Sequence, residues 1–134
     1  MGEKADQHYD LCGQVIGCAM RVHGALGSGF LESVYRNALA LELRAAGLTA
    51  VVEHPIAVRY REAIVGSFAA DLLVNDALVV ELKAVQILAK AHEVQLVNYL
   101  TATGMDDGLV LNFGAASLQF KRKYRMCGEE EVSL

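Results

Sequence analysis

The stretch Asp71-Leu72-Leu73-Val74-Asn75-Asp76-Ala77-Leu78-Val79-Val80-Glu81-Leu82-Lys83 decides how this chain folds. It reads as two apolar strands joined at a polar turn, because Leu and Val fill both runs and Asn75-Asp76 lies between them. Asp71, Glu81 and Lys83 are nevertheless embedded in those runs. Burying a carboxylate or an ammonium costs roughly several kcal/mol unless it is paired, hydrated or bound to a metal, so the three residues mark a site. Side chains two apart on a strand share a face, which points Glu81 and Lys83 the same way. Directly opposed residues of an antiparallel pair share a face as well. A two-residue turn at Asn75-Asp76 would place Asp71 opposite Val80 and leave Glu81 on the wrong side. A three-residue loop pairs Asp71 with Glu81, and a bulge would change the parity equally, so one of these is expected.

On the N-terminal side, Leu11, Val15, Ile16, Ala19, Val22 and Leu26 recur at helical spacing and predict an amphipathic helix over about 5–25. Gly27-Ser28-Gly29 breaks it. A second helix is expected from Phe30 to Ala46, with Val34, Leu39 and Leu43 on its inner face and Gly47 as a left-handed C-terminal cap. The texture then turns to β at Ala50-Val51-Val52 and Ile56-Ala57-Val58-Arg59-Tyr60, interrupted by Pro55, which favours an edge strand or a bulge. A polar turn near Arg61-Glu62 precedes strands at Ile64–Val74 and Leu78–Val85. On the C-terminal side a helix is expected from Leu88 to Thr103, with His92, Gln95 and Tyr99 along one side and Gly104 as its stop. Leu109 to Phe113 returns as a strand, which a right-handed crossover would set parallel to the Leu78 strand in one mixed sheet. A last strand spans Leu118 to Tyr124, and the tail with Glu129-Glu130-Glu131 is expected to fray.

The chain has 134 residues, which suits one domain with a single core, and 54% hydrophobic content with one proline argues for compact folding. No apolar run reaches membrane-spanning length, and Met1-Gly2-Glu3-Lys4-Ala5-Asp6 lacks the regions of a secretory signal, so a cytoplasmic protein is expected. Cys12, Cys18 and Cys127 form no Cys-x-x-Cys pair and read as buried small apolar residues rather than a disulfide framework or a zinc ribbon. The net charge of −4 opposes indiscriminate binding to nucleic acid, so contact with a polyanion needs a local patch. Phe120-Lys121-Arg122-Lys123-Tyr124-Arg125 is such a patch, and it holds four of the twelve Lys and Arg residues. Strand alternation would set Lys121, Lys123 and Arg125 on one face, either against nucleic acid or as charges that protect an edge strand.

Phosphodiester hydrolysis must neutralise charge on the phosphate, generate hydroxide near neutral pH and stabilise the leaving oxygen. A hard divalent cation, Mg²⁺ or Mn²⁺, serves all three needs and prefers oxygen ligands such as Asp71 and Glu81. Lys83 can hold or deprotonate the attacking water and offset phosphate charge; the competing reading is a structural ion pair with Asp71 or Glu81. Leu26-Gly27-Ser28-Gly29-Phe30-Leu31-Glu32-Ser33-Val34-Tyr35 opens the second helix with Glu32 in its first turn, where the helix dipole favours an acid even without a functional role. Gly27-Ser28-Gly29 is not a nucleotide loop, since it follows a helix and Glu32 occupies the place of the third glycine.

Together these segments resemble the GxxExxY protein family, a branch of the PD-(D/E)XK nuclease superfamily, over nearly the whole chain. Gly29-x-x-Glu32-x-x-Tyr35 matches the name-giving motif, and Asp71-Leu72-Leu73-Val74 with Glu81-Leu82-Lys83-Ala84 matches the nuclease signature. Gln95-Leu96-Val97-Asn98-Tyr99-Leu100 and Gly108-Leu109-Val110-Leu111-Asn112-Phe113-Gly114 match the segment that follows. Residue 70 is Ala where the superfamily loosely keeps proline, and Ala69 stands where relatives carry arginine. The resemblance implies a single α/β domain over 1–134 with a restriction-endonuclease-like core, a mixed sheet flanked by helices in the order helix, strands, helix, strand. It implies that Asp71 and Glu81 bind Mg²⁺ or Mn²⁺, that Lys83 assists the water, and that Glu32 is a further metal or water ligand. Gln95 resembles a glutamine that some members direct at the same centre, with a helix-surface amide as the equal alternative. Tyr35 and Tyr99 either reach this site or serve as core residues with satisfied hydroxyls. A nuclease acting on DNA is the expectation. The alternative is a catalytically inactive module that binds nucleic acid or protein on the same fold. A homodimer is expected too, because duplex DNA presents two equivalent strands and a chain this small spans little of it.

Overall fold

The helical spacing of Val15, Cys18, Ala19 and Val22 becomes a buried stripe on α1 (Gly2–Leu26), which packs with α2 (Glu32–Ala45) over one face of a sheet. The structure is a computed structural model that describes residues 2–125, with side chains from Leu11 onward. Cys127 and the Glu129-Glu130-Glu131 tail lie outside the described residues. Helix α2 ends as its sequence predicts: Gly47 has φ 86°, its N–H donates to Arg44 O at 3.0 Å, and Leu48 N–H donates to Leu43 O at 3.0 Å. These two bonds satisfy orphan carbonyls of the last turn, and glycine adopts the left-handed backbone without a Cβ clash.

The sheet has five strands in the order β1-β2-β3-β4-β5: β1 (Ala50–Tyr60), β2 (Ala63–Val74), β3 (Leu78–Lys83), β4 (Asp107–Asn112) and β5 (Gln119–Tyr124). Helix α3 (Lys90–Thr103) connects β3 to β4, which run parallel, and the other neighbours are antiparallel. Leu72, Val74, Val80, Leu82, Leu109 and Leu111 face the α1/α2 layer. Leu73, Val79 and Val110 face α3, whose buried residues are Leu96 and Leu100. This is the expected mixed α/β sheet between helices, with one difference. Pro55 does not interrupt the first strand: β1 runs through it, with Pro55 opposite Ala69. As the expected edge strand, β1 has one side free of any ladder among the described residues, so a residue that lacks an N–H costs no strand pairing there.

The β2–β3 connection follows the three-residue alternative. Ala77 N–H donates to Val74 O at 3.0 Å, and Asn75 and Asp76 take left-handed φ of 52° and 53°, which these residue types tolerate. Pairing resumes with Val74 opposite Leu78, then Leu73 with Val79 and Leu72 with Val80. Asn75 also ties the turn to the start of β1, since its Oδ1 accepts from Thr49 N–H at 2.8 Å. The next step of that register opposes Asp71 and Glu81. There the β2–β3 ladder stops: β2 continues toward its N-terminus with β1 alone, and β3 continues from Glu81 with β4. The two strands diverge as a fork with the two acids at its base.

Candidate active site

Side chains replace the ladder at the base of the fork. Asp71 N–H donates to Glu81 Oε1 at 3.2 Å, and Leu82 N–H donates to Asp71 Oδ2 at 2.8 Å. Each carboxylate therefore caps the backbone of the opposite strand with one oxygen. The reciprocal clasp fixes both groups on one site and brings the two carboxyls within hydrogen-bond reach of each other, so that a protonated Glu81 donates to Asp71. Glu81 is 7% exposed. Burial first and the Asp71 charge second raise its pKa to about 8, against a smaller opposing pull from Lys83. A buried carboxyl beside a second carboxylate is held ionised only by nearby positive charge, and two hard oxygen donors suit a divalent cation.

Lys83 follows Glu81 at the strand repeat, on the α3 side with Val79, and is half-buried. Close ion pairs among the described residues join Arg21 to Glu42, Arg36 to Glu53, Arg122 to Asp107, Lys123 to Glu93 and Arg125 to Asp106, and Lys83 belongs to none of them. The structural ion pair weighed for Lys83 is thus not formed, although its charge acts on Glu81. Tyr99 on α3 completes this side of the site. Its ring stacks on Phe68 of β2 with centroids 3.7 Å apart, and burial followed by the charges of Glu81 and Asp71 raises its hydroxyl pKa. Tyr35 has the other role considered for the tyrosines. Its hydroxyl donates to Gly27 O and accepts from Phe30 N–H, and its ring stacks on Phe113 at 4.6 Å, so it is a core residue that pins the Gly27-Ser28-Gly29 loop.

Glu32 is exposed in the first turn of α2, one turn before Tyr35. Phe113, on which Tyr35 stacks, donates its N–H to Lys83 O at 2.8 Å, so the helix start stands at the C-terminal end of β3. No three His, Cys, Asp or Glu side chains among the described residues converge as a metal cluster, so Glu32 does not join the Asp71–Glu81 pair in this structure. Gln95 is exposed one turn before Tyr99. His92 of the same side caps α3 instead, with Nδ1 accepting from Ala89 N–H at 3.1 Å. Lys123 of β5 bonds Glu93 of α3 at 3.0 Å and Arg125, just after the strand, bonds Asp106 at 2.9 Å, which leaves exposed Lys121 as the member of that trio outside close ion pairs among the described residues. Much of the basic strand's charge is thereby neutralised internally.

Sequence reasoning missed Glu53 and Phe68. Opposite Asp71 the β1–β2 ladder passes from Val52↔Leu72 to His54↔Ala70 without a Glu53↔Asp71 pair, and Glu53 has φ 54°. A left-handed glutamate within a strand is a strained position. It is held by Arg36 of α2, whose Nη1 lies 2.9 Å from Glu53 Oε1. Nothing in a lone strand glutamate announces this, whereas the proximity of Phe68 to Asp71 in sequence offered a weak signal.

The PD-(D/E)XK nuclease superfamily model matches residues 9–123, nearly the whole described chain. No curated protein matches significantly. Among solved structures, SSO0001 superposes with TM-score 0.56 at 14% identity over 75% of this chain, which spans about half of that protein's length, 54%. An alkaline exonuclease from Laribacter hongkongensis (LHK-Exo) matches with TM-score 0.47 at 12% identity, over 86% of this chain and 79% of its own.

Proposed function

The chain belongs to the PD-(D/E)XK nuclease superfamily, and we propose that it is a divalent-metal-dependent nuclease of the GxxExxY branch that hydrolyses phosphodiester bonds of nucleic acid, with DNA as substrate. The observation that carries this reading is the clasp at the strand fork, in which Asp71 and Glu81 each commit one oxygen to a backbone N–H and are held side by side, as the pair that would ligate a cation. Mg²⁺ or Mn²⁺ held there supplies charge neutralisation on the phosphate and acidifies water. The protein's own groups do the rest. The backbone N–H donors orient both carboxylates, the Lys83 charge holds the attacking water and offsets charge on the phosphate, and Tyr99 packs over Phe68 to keep bulk water from this side of the acids. Glu32, carried by the exposed start of α2, and Gln95, on the exposed side of α3, support the metal or the water when substrate draws these elements in. Lys121, Lys123 and Arg125 are a secondary contact for nucleic acid, weakened by the partners of the last two. Action on duplex DNA as a homodimer, in the cytoplasm, belongs to the same proposal.

A cleavage assay on plasmid DNA with added Mn²⁺ tests it, with Lys83→Ala as the control. Cleavage by the wild type and its loss, by about 10²-fold or more, in the variant is expected for a group acting on the nucleophile. Undiminished cleavage by Lys83→Ala rejects the role given to that residue. No cleavage by the wild type with Mn²⁺, or with Mg²⁺ in its place, favours the inactive binding module.

A further inference from the structure

We propose that the β1–β2 ribbon is an arm that grips nucleic acid away from the cut, with Arg59 and Arg61 on phosphates and Tyr60 stacked on a base; this rests on the nuclease reading and names a grip it lacks. Beyond Leu72, strand β2 has β1 as its sole strand partner among the described residues, and from Ala57 to Ser67 no residue of the ribbon is buried. Two-stranded ribbons are marginal alone in water, and this one leaves Tyr60, Ile64 and Val65 62%, 59% and 61% exposed. The Arg61-Glu62 turn is tight, with left-handed φ of 51° and 69°, and Arg61 lies over the Tyr60 ring at 5.4 Å.

Charge and continuity with the site select the occupant. Although the chain carries a net charge of −4, residues 57–67 hold two arginines against the single acid Glu62, and neither arginine is in a close ion pair among the described residues. The pairing slips between Val58 and Arg59, a bulge that re-aims the side chains beyond it. Arg59 then lines a cleft with Asn98 and Thr101 of α3, beside Tyr99. At the root, Phe68 stacks on Tyr99 and Asp71 enters the clasp. From Asp71 to the turn the ribbon measures about 27 Å at strand rise, so its tip meets the polymer well away from the scissile phosphate. A ribbon fits a major groove, an aromatic beside arginines stacks on any exposed base, and arginine pairs phosphate without regard to sequence.

The test uses the full chain with Arg59→Glu/Arg61→Glu and, separately, Tyr60→Ala, with thermal melting to confirm folding. Binding of a fluorescein-labelled 20-nucleotide DNA, single-stranded and duplex, is followed by anisotropy in Ca²⁺ across a salt series. Hydrolysis of bis(p-nitrophenyl) phosphate, too small to reach the arm, is followed in Mn²⁺. The double variant is expected to bind about tenfold or more weaker with a salt slope lower by about two, Tyr60→Ala to bind single strands more weakly, and small-ester hydrolysis to stay unchanged. Wild-type affinity and salt slope in the double variant would overturn the arm while leaving the nuclease reading intact. Binding that fails in the variant, in a protein that cleaves neither DNA nor the small ester, keeps the arm and rejects the nuclease. Loss of self-association in sedimentation with undiminished DNA binding would show the ribbon to be a contact between copies, and would overturn the proposal too.

Discussion

Glu81 is the residue whose chemistry the fold alters most. An unfolded glutamate titrates near about 4.3, and in the folded chain burial followed by Asp71 moves Glu81 up to about 8. Between those values the folded state binds more protons than the unfolded one. The stability contributed by the protonated carboxyl is therefore fully present below about pH 4 and is lost as pH rises through about 8. Glu81→Gln keeps an acceptor for Asp71 N–H and removes this titration. The metal-free variant should melt several degrees above wild type at pH 9, and the two should converge near pH 4. Parallel melting curves at both pH values would mean that Glu81 ionises freely. Gly114 gives a second prediction at this scale. A Cβ there would sit 2.4 Å from Val85 N and 2.5 Å from Ala84 C, in the backbone that follows β3. Gly114→Ala should lower stability by about 1–3 kcal/mol in urea unfolding, as overpacking does, whereas a neutral variant would show that the connection yields. Neither effect is legible in the sequence, because each depends on a neighbour brought from elsewhere in the chain.

At the scale of elements, the register of β2 and β3 was legible from the parity of one turn. Only a loop of odd added length, or a bulge, puts Asp71 and Glu81 on one face, and Ala77 is the residue that supplies it. Deleting Ala77 should restore a two-residue turn, set Asp71 opposite Val80, and abolish Mn²⁺ binding in a protein that still shows strand circular dichroism. Retained binding would mean that a compensating bulge forms. The helices were legible from periodicity and caps, with Gly47 left-handed as expected and Gly104, expected as a stop, left-handed too. What the pattern concealed was cooperation between elements. Pro55 pointed correctly to an edge strand but looked like a break within it, because a run of residues does not reveal that the ladder to β2 continues past it. The strained Glu53 owes its position to Arg36 on another element. The division of labour between Tyr35 and Tyr99 was undecidable until Phe113 and Phe68 were seen beneath them.

Over the whole molecule, the five-strand sheet joins two layers: α1 and α2 cover one face, and α3 carries Tyr99 and Gln95 on the other. Charge that looks like a nucleic-acid patch in sequence is partly consumed by packing, since Lys123 lowers the pKa of Glu93 through a direct hydrogen bond. Lys121→Glu should accordingly weaken DNA binding and flatten its salt dependence by about one phosphate contact. An unchanged slope would leave Lys121 as a charge guarding an edge strand. In the proposed function these surfaces serve one centre, the two carboxylates clasped at the fork of β2 and β3. Isothermal titration of Mn²⁺ near pH 8, into wild type, Asp71→Ala and Glu81→Ala, tests that centre most directly. The account predicts stoichiometric binding with proton release by the wild type and none by either variant; variants that bind Mn²⁺ as the wild type does would contradict it.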